Sequence, residues 1–348
     1  MTTTSSKLAK ITAVFFAILF VLSLVLTLFL YNIENTVFNP QTYKTALQDE
    51  EIYTRLPAVI GSQIALTAKE NDNPLLSAVL SGLSASDWET LISTLLPPQL
   101  LQSLGEETID STFDFLNENS AEASLSLRDL KAQLTDPKST NAIMSFLRTQ
   151  PPCSATDLLN LATLAEGGEF ILCQPPEVSM PLLQTAIEKE LQLAANLLPE
   201  EKTFLQEKDK TDNFAKLKTL RQLMRLSPLI SALFLLIVTF LVVRSPDTWL
   251  LWWGVPFLVT GIITAALASL TAPILEYILQ LSPLGEASRR LSPEFMQLFS
   301  DILLSISQSL RENIMAFALF IALLGGLMVF GAKFIRKADE VPQAIQRY

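Results

Sequence analysis

The sequence predicts an all-α integral membrane protein with about four transmembrane helices and a large, mostly helical extracytoplasmic domain between the first and second spans. Three observations carry that expectation. Of 348 residues, 49% are hydrophobic and only 17% charged, against about 25% charged in an ordinary soluble domain. The deficit is concentrated in four apolar stretches instead of being spread along the chain. Between the first two stretches, proline and polar breaks cut the chain into pieces of helix length.

The first span is expected at residues 11–31, which contain no charge, Gly or Pro. At about 1.5 Å per residue such a run covers ~30 Å, one hydrocarbon core. A cleaved signal peptide would carry an apolar region of about 7–15 residues and end in a small-x-small site. This run is longer and leaves through Leu30, Tyr31, Asn32 and Ile33, so it reads as an uncleaved anchor after a tail at residues 1–10. The second span is expected at Leu226–Val243 and the third at Trp249–Leu270. Only Arg244–Thr248 separates them, which forces an antiparallel helical hairpin. Trp249, Trp252 and Trp253 open the third span as an interfacial aromatic belt would. The fourth is expected at residues 314–332, followed by a tail at 333–348. Within it Ala322, Gly325 and Gly326, with Gly331, form a small-residue face that admits another helix at close range. The plainer reading is that glycine is common in membrane helices.

Orientation follows from Lys and Arg near the span ends. Lys7 and Lys10 precede the first span and Glu34 follows it. Arg244, Lys333, Arg336, Lys337 and Arg347 fall on the same side as the N-terminus. Both termini are therefore expected in the cytoplasm, with residues 32–225 outside. Lys216, Lys218, Arg221 and Arg225 run against this pattern, since they lie just before the second span on the outer side. They are a candidate site for anionic lipid headgroups, at about 1 kcal/mol each near a charged surface. The alternative is a solvated helix flank with snorkelling side chains. With tails of this length, no cytoplasmic signalling domain is expected.

The only two cysteines, Cys153 and Cys173, lie in the inter-span region, next to Pro151-Pro152 and Pro175-Pro176. A bridge between them would close a loop of about 20 residues and contribute ~3 kcal/mol in the chain-entropy model. Bridges persist in oxidising compartments. The competing reading is two buried, reduced thiols.

Residues 32–225 carry 27 acidic and 15 basic side chains, a soluble acidic composition. The pattern predicts helices at Gln41–Leu56, from Ser86 (capped with Glu89) to the Pro97-Pro98 pair, through Leu100, Leu104, Ile109, Phe113 and Leu116, and at Thr140–Thr149, Ala155–Ala165 and Met180–Leu198. Ala123–Leu127 and Glu169–Cys173 are the strand candidates. Residues 200–227 and 294–324 lack Gly and Pro and are expected as stalk helices that lead into spans two and four and pack on one another. Lying flat in the interface is the alternative. The second stalk sits in an amphipathic helical loop at 271–313, capped by Ser292 with Pro293 at the first helical position. Its stripe is Phe295, Phe299, Ile302, Leu303, Ile306 and Leu310.

Several chemistries are excluded or unsupported. The chain has no histidine, which removes Ser-His-Asp and Cys-His catalysis, His-ligated zinc and His-held haem. Excess acid disfavours nucleic acid as a partner. The expected spans contain no Asp, Glu, Lys or Arg, which weakens a transporter or channel reading. Glu107, Asp110, Asp114 and Glu118 fall on one helical face, with Glu106 nearby. They read as a solvated surface, because one helix supplies poor geometry for a calcium ion. Glu166-Gly-Gly-Glu169 suits a tight turn.

In outline the chain resembles four-span envelope proteins with one large outer loop, and that outline implies no function. No catalytic residue, metal ligand or cofactor is expected. The expected partners are the bilayer and either another protein or a second copy, met through the spans or the outer domain. The expected function is a non-catalytic, membrane-anchored binding or structural protein of the cell envelope. The alternatives are a subunit of a membrane transport or export complex, or an envelope enzyme using carboxylates or a Ser–Lys pair.

Overall fold

The structure is a computed structural model that describes residues 2–67, 83–157, 172–206, 212–281 and 291–345. The chain is an all-α membrane protein, with four helices long and apolar enough to cross a bilayer. In order, its elements are α1 (Thr2–Val37), α2 (Pro40–Asp49), α3 (Ile52–Thr67), α4 (Ala85–Leu95) and α5 (Pro98–Leu116). There follow β1 (Glu122–Ser126), α6 (Arg128–Thr135), α7 (Pro137–Arg148), α8 (Met180–Leu197) and β2 (Glu201–Gln206). The last four are α9 (Asp212–Val242), α10 (Pro246–Ser269), α11 (Thr271–Leu281) and α12 (Pro293–Ile345). The chain divides into two compact units, one holding residues 1–42, 210–281 and 304–348 and the other residues 43–209 and 282–303.

The first unit is the span bundle. Helix α1 continues six residues past the expected Tyr31, because nothing between Asn32 and Val37 breaks it, and it packs on α9 and α10. Helix α9 contains Pro228, whose ring nitrogen has no hydrogen to give the carbonyl of Met224. The Ser227 hydroxyl donates to that carbonyl at 2.7 Å. The helix therefore passes the proline without an orphaned acceptor. The α9–α10 turn is tight, as expected. Pro246 stands at the first position of α10, and the Ser245 N–H donates to Thr248 Oγ1 at 3.1 Å. The hairpin is then pinned by the Trp253 indole, which donates to Thr239 Oγ1 at 2.9 Å.

The second unit is mostly helical, with one two-stranded antiparallel ribbon. Strands β1 and β2 pair from Glu122↔Gln206 to Ser126↔Glu201, with an irregularity between Ala123 and Ser124. The Ser124 N–H donates to Ser111 Oγ on α5, which ties the ribbon to that helix. Helices α3 and α4 approach so closely that a Cβ on Gly61 would lie 2.8 Å from the Ala85 carbonyl oxygen. The core gathers Ile52, Val59 and Leu298 with Leu47, Phe295 and Ile302. So the first turns of α12 are core-forming, and two members of the amphipathic stripe, Phe295 and Ile302, face the core. At the start of α12, Ser292 caps as expected, its hydroxyl accepting from the Phe295 N–H at 3.2 Å.

Several expectations are corrected. Gln41–Leu56 is two helices, broken at Glu50-Glu51, where Glu51 adopts a left-handed φ of 51°. The cap of α4 is Ser84 with Asp87 rather than Ser86 with Glu89, since Ser84 holds the extended backbone that an N-cap requires. Helix α6 was not expected. The first stalk is shorter than its sequence limits, because Glu201–Gln206 is a strand: Thr203 and Phe204 favour extended backbone, and β1 supplies the partner. The region 271–313, expected as an amphipathic helical loop, is helical over most of its described residues: it holds α11 and the start of α12, which runs unbroken into the fourth span. Both expected tails are helical where described. The expected helix at Ala155–Ala165, the Glu169–Cys173 strand and the Glu166–Glu169 turn fall wholly or mostly outside the described residues.

Candidate functional site

The most unusual chemistry in the first unit is a buried polar seam between α1 and α9. Its lower part is neutral. Thr27 Oγ1 donates to the Ser227 carbonyl at 3.1 Å and lies 3.0 Å from Ser231 Oγ. Above it, Asn32 folds back on the Leu28 carbonyl. Near the top, Glu34 is only 5% exposed and accepts from Arg221 Nη2 at 3.2 Å and from Arg225 Nε at 2.8 Å, and the ion pair with Arg225 closes to 2.7 Å at Nη2. The Arg221 guanidinium also lies 4.4 Å over the Phe38 ring, a cation–π contact that suits a desolvated guanidinium. A buried carboxylate held by two guanidiniums is expensive to break from either side. Removing one partner of such a pair typically costs ~3–5 kcal/mol.

This geometry divides the four-residue basic cluster proposed for lipid headgroups. Arg221 and Arg225 have an internal partner in Glu34, while Lys216 and Lys218 lie on the exposed surface of α9. The sequence contained the signal. An acid one turn past a span and two arginines one turn before the next, antiparallel span meet at the same height.

The small-residue face of α12 packs against α10 within the same chain. A Cβ on Gly325 would lie 2.4 Å from the Leu258 nitrogen and 2.7 Å from the Gly254 oxygen. A Cβ on Gly261 would lie 2.6 Å from both the Ala318 oxygen and the Ala322 Cβ. Ala322 and Gly325 therefore do form the close contact. Gly326 does not, since a Cβ there would meet only Leu258 Cδ1 at 4.0 Å. The next residue along a helix points about 100° away. Gly254, Gly261 and Ala318 complete the contact and were not singled out in the sequence. The spacing Ala318, Ala322, Gly325 follows one helical face and could have identified it.

In the second unit Cys153 and Cys173 are bonded as a disulfide, with a Cα–Cα distance of 4.9 Å. The Cys153 N–H donates to the Gln174 carbonyl and the Gln174 N–H to the Pro151 carbonyl, so backbone pairing holds the two ends in register.

The acidic residues of α5 are engaged or solvated. Asp110 pairs with Lys44 at 2.6 Å, and Glu106 accepts from Gln48 and Gln102, each at 2.8 Å. Glu118 leaves the face altogether, because α5 ends at Leu116 and Glu118 takes a left-handed φ of 62°. Among the described residues no group of three or more Cys, Asp or Glu side chains could hold a metal ion. Tyr53 is buried beside Gly105, and its hydroxyl has no hydrogen-bond partner among the described residues. Burial, with the Glu106 carboxylate adding to it, pushes its phenol from 10.0 up to about 12. A phenol held there stays protonated and moves no proton near neutral pH.

Compared with protein-family models, with curated proteins and with solved structures, the chain matches none of them.

Proposed function

We propose that this multi-pass membrane protein presents its inter-span domain outside the cytoplasm, where the domain binds a partner protein or serves as a structural subunit without catalysing a reaction. The observation that supports this most is the Cys153–Cys173 bridge. Disulfides persist in oxidising compartments and are rare in the cytosol, so a bridge in the region between spans one and two favours placing that region outside, with both termini inside. The Lys and Arg residues flanking spans one and four favour the same arrangement.

A non-catalytic role is supported by what the buried polar groups do. Glu34 is taken up by its ion pairs with Arg221 and Arg225, and on α5 Asp110 and Glu106 are bound to neighbouring side chains. The domain also carries apolar side chains in the open. On α8, Leu182 is 77% and Leu197 78% exposed, which is the kind of surface a protein partner covers.

Photo-crosslinking in native membranes tests the reading. A photoreactive residue at position 182 or 197 is expected to give a discrete product heavier than the chain, whose mass distinguishes a second copy from a different protein. Positions 182 and 197 that yield only solvent-quenched chain would contradict it.

A further inference from the structure

We infer that a groove between α1 and α10 seats one acyl chain of an anionic phospholipid, whose headgroup phosphate pairs with Lys10. The two helices meet through Phe20 and Phe257, with ring centroids 5.6 Å apart, and beside that contact they leave a groove of about 550 Å³. It runs from Val14 to Leu22 on α1 and from Leu251 to Ile263 on α10, and no charged or hydroxyl side chain lines it. Those stretches rise about 12 Å and about 18 Å, against about 15 Å for one leaflet of a ~30 Å hydrocarbon core. Val14 stands just after Ile11, where the apolar run begins. The groove therefore occupies the half of the core nearest the N-terminal end of α1.

Charge and shape select the occupant. Lys10 is exposed and lies one turn before Val14 and two before Ala17, within about 40° of both around the helix. It stands at the surface end of the groove and on the groove's own face, where a lysine stem carries its ammonium to headgroup level. A cation there attracts an anionic lipid over a zwitterionic one. A transmembrane helix fits the groove less well. Close helix contacts need small residues, and on α10 Gly254 and Gly261 already meet α12. The groove instead presents Val14, Ile18, Leu22, Val255, Val259 and Ile263. These branched side chains keep a rigid helix at a distance, whereas a flexible hydrocarbon chain can follow the channel between them. The site requires only that α1 and α10 cross a bilayer, so it stands or falls separately from the outward role proposed above.

The full chain in nanodiscs tests the assignment, with phosphatidylglycerol or phosphatidylcholine carrying a photoreactive diazirine in one acyl chain as the probes. Mass spectrometry of the digested chain reads which residues are labelled. Label from phosphatidylglycerol is expected to concentrate on residues 14–22 and 251–263. It should exceed label from phosphatidylcholine there about five-fold, the equivalent of ~1 kcal/mol for one cation. Lys10→Gln is expected to bring the two lipids level at the groove. Ala17→Phe, which puts a ring into the groove, is expected to lose the label of both lipids there while the exposed Phe240 and Phe320 stay labelled. Lys333→Gln removes a cation just past Gly331, which lies beside Leu250 at the start of α10, and is expected to change nothing. Equal labelling of the native groove by the two lipids overturns the proposal, as does an equal response to Lys10→Gln and Lys333→Gln. Label spread evenly over the groove, Phe240 and Phe320 also overturns it. A groove left unlabelled while Phe240 and Phe320 are labelled would assign it to another helix and overturn the lipid site.

Discussion

The α10–α12 contact can be tested with two adjacent glycines whose surroundings differ. Gly325→Ala puts a methyl group 2.4 Å from the Leu258 nitrogen, 2.7 Å from the Gly254 oxygen and 2.9 Å from the Leu258 Cα. All three are backbone atoms of α10, so no side chain can swing aside. Relief needs the helices to separate by about an ångström, the gap that forfeits a quarter to a half of each neighbouring dispersion contact. Overpacking of this kind costs about 1–3 kcal/mol, with the rigid backbone neighbours placing this case at the upper end. Alanine recovers up to ~1 kcal/mol of helix propensity. The net expectation is a loss of about 2 kcal/mol. Gly326→Ala meets only Leu258 Cδ1 at 4.0 Å and keeps the same propensity gain, so it should stabilise by up to ~1 kcal/mol. Equilibrium unfolding of the purified chain in detergent, followed by the fluorescence of Trp249, Trp252 and Trp253 on α10, reads both. Shifts of the same sign and size in the two variants would refute the packing argument.

Three further outcomes follow from the structure. Glu34→Gln should destabilise the bundle by about 3 kcal/mol in the same unfolding assay, because Arg221 is left buried beside a neutral group; a loss under 0.5 kcal/mol would mean that the ion pair is not formed. Cys153→Ser with Cys173→Ser should lower the stability of the inter-span domain by about 3 kcal/mol, the value for a 20-residue loop, and an unchanged denaturation midpoint would contradict the bridge. Tyr53 has a folded-state phenol near 12 against an ordinary 10.0, so its contribution to stability is complete below pH 10 and is lost as pH rises towards 12. Tyr53→Phe should therefore flatten the fall in stability over that window without loss at pH 7, and a fall as steep as that of the native chain would show that Tyr53 does not cause it.

The spans were legible because a continuous apolar run has few other uses, and Ser292-Pro293 located the start of α12 by a local rule that tertiary packing did not override. The disulfide was legible from two cysteines with matching proline flanks. What escaped had non-local causes. Residues 201–206 lack helix breakers, and only pairing with residues 122–126 makes them a strand. The break at Glu51 needs a left-handed residue that glycine or asparagine would have advertised and glutamate does not. The functional reading of Arg221 and Arg225 changed for a similar reason. Their partner, Glu34, lies 187 and 191 residues away. In the sequence they stand beside Lys216 and Lys218, so the four read as one cluster, and the structure separates the cluster by the direction each side chain takes around α9. Of the α12 small-residue face, residue spacing identified Ala322 and Gly325 but included Gly326, which the helix turns away.

The outward role of the inter-span domain turns on which side of the bilayer it occupies. Sealed, right-side-out cells bearing the chain with an epitope tag after Tyr348 can be treated with an added protease and probed for that tag and for the domain. If the domain is outside, its exposed surface is cut while the tag remains intact until the membrane is permeabilised. A tag removed from sealed cells, with residues 43–206 left whole, would contradict the orientation and the outward role drawn from it.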